Sequence, residues 1–385
     1  MIKVAIIGAG AIAGVQVDSF KLFPDMCEIV AICDIYKEKA QDMIVKKNLT
    51  GATAYEGLDE VLSAEAIDLV SICLPPSAHT EIAVKALEAG CHTLVEKPMA
   101  SSLEECDKMI EASKRSGKLL SVVCQNRFKT PMQRVRKMIQ DGVGGKVRHA
   151  IVNSLWWRGE NYYDIWWRGT WEKECGGCFT SHSVHHLDLL QWMIGMPSSV
   201  TAVMKNVGHH NSEMEDVGVA ILEYPDILAH LATSIVDFGE EQEMVFQTEK
   251  GRLSIPWKTA AATALPNGFP QRDFTYEEEL TEIYNQIPEM GLEGHAAQIE
   301  NLLKAIQGEE ELLTNGEEGR KAIELITAIY KSYAQRQTVQ LPISADDEFY
   351  YRETFVKKMP HFYEKTKSID NFSSTEITLG RDVGK

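Results

Sequence analysis

The sequence predicts an α/β protein in which a doubly wound parallel sheet is followed by a second, α+β domain. Up to about residue 128, short apolar runs alternate with helix-compatible segments, a pattern typical of βαβ units. From residue 198 to residue 257, strand-like segments follow one another with only short polar breaks between them. The length of 385 residues also favours two to three domains, at about 150 residues each.

The first predicted strand, residues 2–7 (IKVAII), is apolar throughout, as expected for a parallel strand covered on both faces. It leads into residues 8–13 (GAGAIA), which match the G-x-G-x-x-A form of the dinucleotide-binding motif. The two glycines allow a tight turn and a close approach of the backbone to a pyrophosphate, which the following helix N-terminus attracts. The predicted cofactor contacts in this motif are Gly8, Gly10, Ala11 and Ile12.

The second apolar run, residues 28–34 (EIVAICD), ends in Asp34. An acid at about this distance after the motif accepts hydrogen bonds from the ribose hydroxyls of the adenosine. Its negative charge would repel a 2′-phosphate, so we predict NAD as the cofactor and regard NADP as less favoured. Lys37 lies close enough in sequence to weaken that preference.

Charge and composition exclude several classes of partner. The net charge is −17, with 39 basic and 56 acidic residues, and no basic patch offers a surface for nucleic acid or anionic lipid. The sequence contains no run of 18 apolar residues and no signal peptide. The eight cysteines lie mostly within apolar runs, where reduced thiols behave as small hydrophobic groups. We therefore predict a soluble, cytoplasmic protein with neither a nucleic-acid nor a membrane partner.

Further alternation completes the first predicted sheet. Strand-like runs and helices follow at residues 67–76, 79–89, 91–98, 103–116 and 119–128. The run 91–98 ends in Glu96-Lys97-Pro98. Together with the glycine motif, the Pro75-Pro76 and His79 stretch and residues 175–195, this motif resembles the glucose-fructose oxidoreductase, inositol dehydrogenase and MocA (Gfo/Idh/MocA) family. The resemblance covers residues 1 to about 330.

The family resemblance implies a second domain whose open, mostly antiparallel sheet forms the floor of the substrate site and an oligomer interface. We therefore expect a homo-oligomer, a dimer or a tetramer, that assembles through that sheet. The resemblance also implies a small carbohydrate or cyclitol as substrate. It implies further cofactor contacts from Pro75, His79, Glu96 and Lys97.

Lys97 lies at the carboxyl end of a predicted strand, the edge at which open α/β sheets bind ligands. A lysine there can donate to a substrate hydroxyl, or accept its proton if burial or a nearby cation lowers the lysine pKa. The matching lysine is catalytic in the family, which implies a catalytic and substrate-binding role for Lys97. The alternative is a lysine that pairs only with Glu96 or with solvent.

A predicted helix opens near Ser181. Ser181, His185 and Asp188 are spaced by four and three residues, which places them on one helical face. Family members usually carry an acid or Asn, then His, then an acid, so the chain matches at His185 and Asp188 and departs at Ser181. We assign proton transfer to Lys97 and His185, and expect only a substrate hydrogen bond from Ser181.

A zinc site is a competing interpretation of the same segment. Cys175 and Cys178 form a C-x-x-C pair, and His182 and His186 stand four apart. Only three residues separate the two pairs, whereas zinc sites usually place a loop of about a dozen residues between them. We therefore predict no metal, and place His182 among the substrate contacts.

Aromatic residues are concentrated between residues 156 and 171, which hold five of the seven tryptophans and two tyrosines. Flat aromatic faces beside arginines suit a sugar ring, whose C–H face packs on a ring while its hydroxyls need polar partners. We predict substrate contacts from Trp166, Arg168 and, earlier in the chain, Arg127. The alternative is that these rings face the core or a subunit interface.

We expect an NAD(P)-binding domain over residues 1–125, a substrate-binding domain over 126–345, and a C-terminal extension over 346–385 that packs on the body or on a neighbouring subunit. Residues 258–292 are rich in loop formers. His295 begins a predicted helix, where a pocket role and a structural role are both open.

Three functions remain open from the sequence. The first is an NAD-dependent oxidoreductase that moves a hydride between nicotinamide and a ring secondary alcohol of a sugar, glycoside or cyclitol. The second is redox-neutral cleavage or epimerisation through a transient keto sugar, with tightly bound NAD. The third is a non-catalytic NAD or sugar sensor. The presence of both Lys97 and His185 favours an enzyme.

Overall fold

The computed structural model describes residues 1–372. Within these residues, the first sheet has six parallel strands in the order β3-β2-β1-β4-β5-β6. Its strands are β1 (Ile2–Ile7), β2 (Cys27–Cys33), β3 (Thr53–Tyr55), β4 (Leu69–Ile72), β5 (His92–Val95) and β6 (Leu120–Val122). The connecting helices are α1 (Ala11–Phe20), α2 (Lys37–Lys46), α3 (Leu58–Ala64), α4 (Pro76–Glu88) and α5 (Leu103–Ser116). The predicted doubly wound parallel sheet is confirmed.

Two elements of this half differ in length from the prediction. The run 67–76 is a strand only over Leu69–Ile72, and α4 begins at Pro76 instead of near residue 79. Proline fits the first turn of a helix, because its fixed φ is helical and its missing N–H has no partner there in any case. The run 119–128 ends not as a strand but as a short 3-10 helix, Gln125–Phe128.

The second sheet has nine strands in the described part of the chain, in the order β14-β13-β12-β11-β7-β10-β9-β8-β15. These are β7 (Val147–Leu155), β8 (Ser199–Lys205), β9 (Val217–Glu223), β10 (Leu228–Ser234), β11 (Gln242–Thr248), β12 (Gly251–Ile255), β13 (Ala260–Ala264), β14 (Pro270–Arg272) and β15 (Val339–Gln340). Only β7 and β10 pair in parallel, so the predicted open and mostly antiparallel sheet is confirmed. The remaining helices are α6 (Thr130–Gln140), α7 (Cys178–Ser181), α8 (Val184–Ile194), α9 (Phe274–Gln286), α10 (Gly294–Gln307), α11 (Gly316–Gln335) and α12 (Arg352–Lys358).

One face of the second sheet is covered and the other is open. Along β8 and β9, buried residues alternate with exposed ones, as a sheet with one solvated face requires. Helices α8 and α11 pack on the covered face. The open face carries Val203, Val219 and Ile221, which are 59%, 41% and 45% exposed.

The predicted loop-rich stretch 258–292 contains regular structure. It holds β13, β14 and the helix α9, whose first turn is capped by Asp273 accepting a hydrogen bond from the Tyr276 N–H. Leu280 and Tyr284, one turn apart, are buried and fix α9 against the body. The apolar face of α9 therefore outweighs the prolines and glycines that favour a loop.

The two predicted boundaries between the three domains stay predictions, and packing crosses one of them. Helix α10 lies in the predicted second domain, yet Ile299 and Leu302 are buried in one cluster with Val4 and Val17 of the first. Among the described helices, none combines the length and apolar character that crossing a bilayer requires. The predicted C-terminal extension beyond residue 372 lies outside the described residues.

Candidate active site between the two sheets

Gly8 turns the chain sharply at the end of β1. Its φ is +100°, and a Cβ there would lie 2.4 Å from the carbonyl oxygen of Cys73 after β4, so only glycine fits. Gly10 precedes α1, and a Cβ there would meet no atom within 4 Å. The open space at Gly10 and the first-turn N–H groups of Ala11 and Ile12 fit the pyrophosphate of a dinucleotide.

Asp34 lies against this glycine loop. Its Oδ2 accepts a 2.9 Å hydrogen bond from the Ala9 N–H, and its Oδ1 accepts a 3.0 Å bond from the Tyr36 N–H. The carboxylate is thereby held where a dinucleotide's adenosine ribose meets an acid in this type of fold. Lys37 pairs with Glu60 at 3.4 Å, so its charge is directed away from Asp34.

Two predicted cofactor contacts, Glu96 and His79, are buried supports beneath the cofactor loop. Glu96 accepts a 2.6 Å hydrogen bond from Gln16 Nε2 on α1. The ring nitrogens of His79 lie 2.9 Å from the Pro98 carbonyl oxygen and 2.8 Å from that of Leu74. Since these polar atoms are used inside the protein, direct contact of either side chain with the cofactor is a prediction that the geometry does not support.

Lys97 follows β5, and Pro75 follows the neighbouring strand β4, so both lie at the carboxyl edge of the first sheet. Burial lowers the pKa of Lys97; the Glu96 carboxylate opposes this shift, while Arg168 lowers the pKa further. Within residues 1–372, the ammonium group forms no hydrogen bond or ion pair. Lys97 is therefore placed and tuned to exchange a proton with a ligand.

The predicted helix through Ser181 is two helices instead of one. Helix α7 ends at Ser181 and α8 begins at Val184. At the break, the Ser183 N–H bonds to the carbonyl oxygen of Cys178, five residues back, instead of four. The prediction of a single helix on which Ser181, His185 and Asp188 share a face is therefore wrong, and Ser181 and His185 lie on different helices.

Lys97 and His185 line one narrow cavity. Its volume is about 10 Å³, roughly the space of one water molecule. Val123 and Val184 form apolar walls, and Asp188 borders the cavity one turn beyond His185. Burial lowers the pKa of His185 well below its usual range, and the charge of Lys97 lowers it further, so His185 is neutral.

Arg168 is anchored through one of its guanidinium nitrogens. Its guanidinium pairs with Glu174 through Nη1, and it stacks 4.0 Å from the ring centre of Tyr162 and 4.1 Å from that of Trp167. Glu174 is itself held by the Gly169 N–H at 2.8 Å. Nη1 of Arg168 is therefore anchored to Glu174, the rest of the guanidinium lies against the Tyr162 and Trp167 rings, and the substrate contact of Arg168 stays a prediction.

The aromatic residues between 156 and 171 have two kinds of surroundings: some contact the candidate site, and others pack against the rest of the protein. The rings of Trp156 and Tyr162 contact the His182 ring, with centres 5.7 and 5.8 Å away. Trp166 instead packs beneath the Lys173 ammonium at 4.6 Å, and its backbone N–H bonds to the Ile369 carbonyl oxygen. The substrate contact of Trp166 stays a prediction, and Trp156 and Tyr162 are better placed for it.

Arg127, a predicted substrate contact, is committed to a buried ion-pair network. It is 2% exposed, and its Nε and Nη2 donate to the two oxygens of Asp188 at 2.9 and 2.6 Å. Its Nη1 donates to Glu318 at 2.8 Å. Each guanidinium nitrogen thus donates to a carboxylate and the group is buried, so the geometry favours a role for Arg127 in the scaffold that holds α8.

The cysteines and histidines of residues 175–186 do not converge on a metal. All eight cysteines are free and buried. The Cys175 thiol donates to Ser101 Oγ at 2.8 Å, and burial raises the pKa of Cys178 well above its usual range. Among residues 1–372, no group of three or more His, Cys, Asp or Glu side chains is arranged to hold a metal ion.

Comparison with known protein families agrees with this geometry. Residues 2–124 match the model of an oxidoreductase family with an NAD-binding Rossmann fold, GFO_IDH_MocA. Residues 132–254 match the model of the GFO/IDH/MocA C-terminal domain. The chain belongs to the Gfo/Idh/MocA oxidoreductase family. The predicted NAD-binding domain and oxidoreductase class are thereby confirmed.

Several known proteins are similar to this chain over 72% to 89% of its length. The D-glucoside 3-dehydrogenase of Escherichia coli (strain K12) is 26% identical over 88% of this chain and 97% of its own. The crystal structure of the WlbA dehydrogenase from Bordetella pertussis, with NADH and UDP-GlcNAcA, superposes with a TM-score of 0.77. It is 29% identical and covers 89% of this chain and 98% of its own. A 2,7-anhydro-N-acetylneuraminate hydratase of E. coli (strain K12) is 26% identical over 72% of this chain and 73% of its own.

Two further histidines, His186 and His295, lie close to the candidate site. Within residues 1–372, His295 Nε2 and His186 Nδ1 are buried without a hydrogen-bond partner. Burial, together with the charges of Lys97 and Lys129, lowers the pKa of His295 to about 4. The sequence left the role of His295 open, because a histidine at the start of a helix gives no indication of which residues surround it.

Proposed function

We propose that this protein is an NAD-dependent dehydrogenase of a ring secondary alcohol in a sugar, glycoside or cyclitol. The shared cavity of Lys97 and His185 carries the proposal, because it joins the carboxyl edge of the first sheet to α8 of the second domain. Bound NAD supplies the hydride chemistry. The protein supplies orientation, exclusion of water and proton transfer.

Lys97 is the proposed base for oxidation. Its lowered pKa reduces the cost of deprotonating the ammonium group, and the resulting amine takes the hydroxyl proton as the C–H hydride leaves and the C=O bond forms. His185, neutral and next to Lys97, holds the same hydroxyl and passes the proton onward. In the reverse direction the lysine ammonium returns the proton to the carbonyl oxygen.

Asp34 is the proposed determinant of NAD over NADP. Its carboxylate is fixed by two backbone N–H groups and faces the position of the ribose hydroxyls. A 2′-phosphate would meet this charge without the help of Lys37, which pairs with Glu60. We expect NAD to bind at least tenfold more tightly than NADP, and equal affinities in a fluorescence titration would contradict this assignment.

We further propose that a second copy of the chain covers the open face of the second sheet. Its exposed Val203, Val219 and Ile221 form an apolar surface of the kind that subunits bury. Light scattering on the purified protein should give a dimer or tetramer. Replacement of Val219 and Ile221 by lysine should lower that mass, and a wild-type monomer would contradict the proposal.

Product analysis on a panel of glycosides, sugars and inositols tests the proposed function. Purified protein with NAD should form NADH and a keto sugar in equal amounts. Absence of NADH across the panel would contradict simple dehydrogenation, and NAD binding without turnover on any member would favour the sensor.

A redox-neutral reaction is the second candidate, favoured by the similarity to the hydratase. Oxidation of a ring hydroxyl to a ketone acidifies the neighbouring C–H, so a substituent is eliminated or a centre epimerised before the hydride returns. The protein would then retain NAD through purification. A cleaved or epimerised product without net NADH identifies this reaction, and a keto sugar with equimolar NADH excludes it.

A further inference from the structure

Ser181 makes two hydrogen bonds with a single hydroxyl proton. Its Oγ lies 2.8 Å from the Gly177 carbonyl oxygen and 2.8 Å from His182 Nδ1. A carbonyl oxygen only accepts, so the Ser181 proton points to Gly177. The serine oxygen must then accept from His182, which places a proton on Nδ1.

The second nitrogen of His182 is consequently a bare acceptor. A neutral imidazole carries one N–H, so with Nδ1 protonated, Nε2 holds a lone pair. Burial lowers the pKa of His182 well below its usual range, and Arg158 and Arg168 lower it further, so the ring stays neutral. The described residues give Nε2 no hydrogen-bond partner.

The surroundings of this acceptor are aromatic and cationic. The His182 ring is held between Trp156 and Tyr162, and the charges of Lys97, Arg158 and Arg168 act on it. Lysine and arginine side chains only donate hydrogen bonds. A ring hydroxyl both donates and accepts, so it can bridge His182 Nε2 and one of these cations.

We propose that Ser181 and His182 form a positioning pair in which His182 Nε2 accepts a hydrogen bond from a substrate hydroxyl next to the one that is oxidised. The inference rests on the proposed function and narrows its substrates to rings with a vicinal diol. Ser181 acts through His182 by fixing its tautomer. The neutral serine thus has a defined role where family members usually carry an acid or Asn.

Substrate analogues test the pair through turnover. For the best glycoside of the panel, we compare the parent with its deoxy and deoxyfluoro analogues at each position next to the oxidised carbon. Fluorine cannot donate a hydrogen bond, so both analogues should lower kcat/KM about tenfold in the wild type at one position, the worth of one such bond. In His182→Phe, parent and analogues should react equally, within about threefold.

Matched serine variants separate tautomer control from folding. Ser183 Oγ donates a 3.0 Å hydrogen bond to the carbonyl oxygen of Phe179, also four residues back. Within residues 1–372, this hydroxyl forms no hydrogen bond with a histidine. Ser183→Ala should keep the tenfold discrimination, and Ser181→Ala should lose it, since His182 is then free to carry its proton on Nε2. Ser181→Thr, which restores the hydroxyl, should recover it.

A measurement without substrate keeps the inference falsifiable. In ¹⁵N-histidine NMR spectra, with His182→Gln used to assign the signals, His182 should show a protonated Nδ1 and an unprotonated Nε2. A protonated Nε2 would overturn the proposal even if no substrate is found. Equal kcat/KM for parent and analogues at every neighbouring position would also overturn it, whereas absence of NADH with every parent compound contradicts the proposed function instead.

Discussion

Two buried arginines, Arg127 and Arg168, show how the scaffold and the site differ. Arg127 directs all three guanidinium nitrogens to carboxylates of Asp188 and Glu318. Arg168 anchors one nitrogen to Glu174 and presents its flat face to two aromatic rings. Arg127 therefore has a carboxylate at every guanidinium nitrogen, whereas the ion pair of Arg168 involves one nitrogen.

The same distinction applies to the histidines. His79 has a backbone carbonyl at each ring nitrogen, whereas His182 and His295 each have a nitrogen without a partner in the described chain. Buried polar groups without partners cost free energy unless a ligand satisfies them. Among these three histidines, a ring nitrogen without a partner therefore distinguishes His182 and His295 from the structural His79.

The largest effect on stability is expected at Arg127. Arg127→Met leaves the Asp188 carboxylate buried without its partner, so the free energy of unfolding should fall by about 3 to 5 kcal/mol. Urea unfolding followed by circular dichroism measures this. The double variant with Asp188→Asn should lose less than Arg127→Met alone. A loss below about 1 kcal/mol combined with a large rise in KM would instead place Arg127 in the substrate site.

Glu215 is a buried acid in which one carboxylate oxygen has hydrogen-bond partners among the described residues and the other has none. Its Oε1 accepts from the Phe179 N–H at 3.0 Å and from Tyr330 Oη at 2.8 Å, while Oε2 has no partner. Burial raises the pKa of Glu215 from 4.5 to about 7, so the folded state favours the protonated acid. Its contribution to stability is therefore full below pH 4.5 and is lost as the pH rises to 7.

Glu215→Gln should remove this pH dependence. Relative to the wild type, the variant should gain about 3 kcal/mol of unfolding free energy between pH 4.5 and pH 8. Urea unfolding at both pH values measures the change, with the exposed Glu172→Gln as the control. Parallel pH profiles of wild type and Glu215→Gln would show that Glu215 is not protonated in the fold.

The smallest effect is expected at Arg168. Arg168→Lys keeps a positive charge beside Glu174 and loses the flat, forked guanidinium. KM for the sugar should rise about tenfold, while unfolding free energy should change by less than about 1 kcal/mol. Arg148→Lys, at an exposed pair with Glu249, serves as the control. An unchanged KM would remove Arg168 from the substrate contacts.

The cofactor loop and Lys97 could be predicted because each depends on a short stretch of consecutive residues. Gly8 must be glycine because its φ is positive and because a Cβ would collide with the backbone that follows β4. Lys97 follows directly from the end of an apolar run at the ligand-binding edge. The alternation of strands and helices likewise needs only short-range patterns.

The pairing of Arg127 and the break after Ser181 could not be predicted from spacing. Arg127 finds Asp188 and Glu318 at separations of 61 and 191 residues. Helix α7 before the break begins with the Cys178 and Phe179 N–H groups bonding to Glu215, which lies in the segment that precedes β9. Helical spacing assumes an uninterrupted helix, and tertiary hydrogen bonds decide whether that assumption holds.

The proton-transfer role of Lys97 is the central claim, and Lys97→Met tests it most directly. On the best substrate of the panel, we expect kcat for NADH formation to fall by about two to four decades, the usual worth of a positioned general base. The NAD dissociation constant, measured by fluorescence titration, should stay within about twofold. Turnover close to wild type in this variant would contradict the mechanism, however well the fold matches the family.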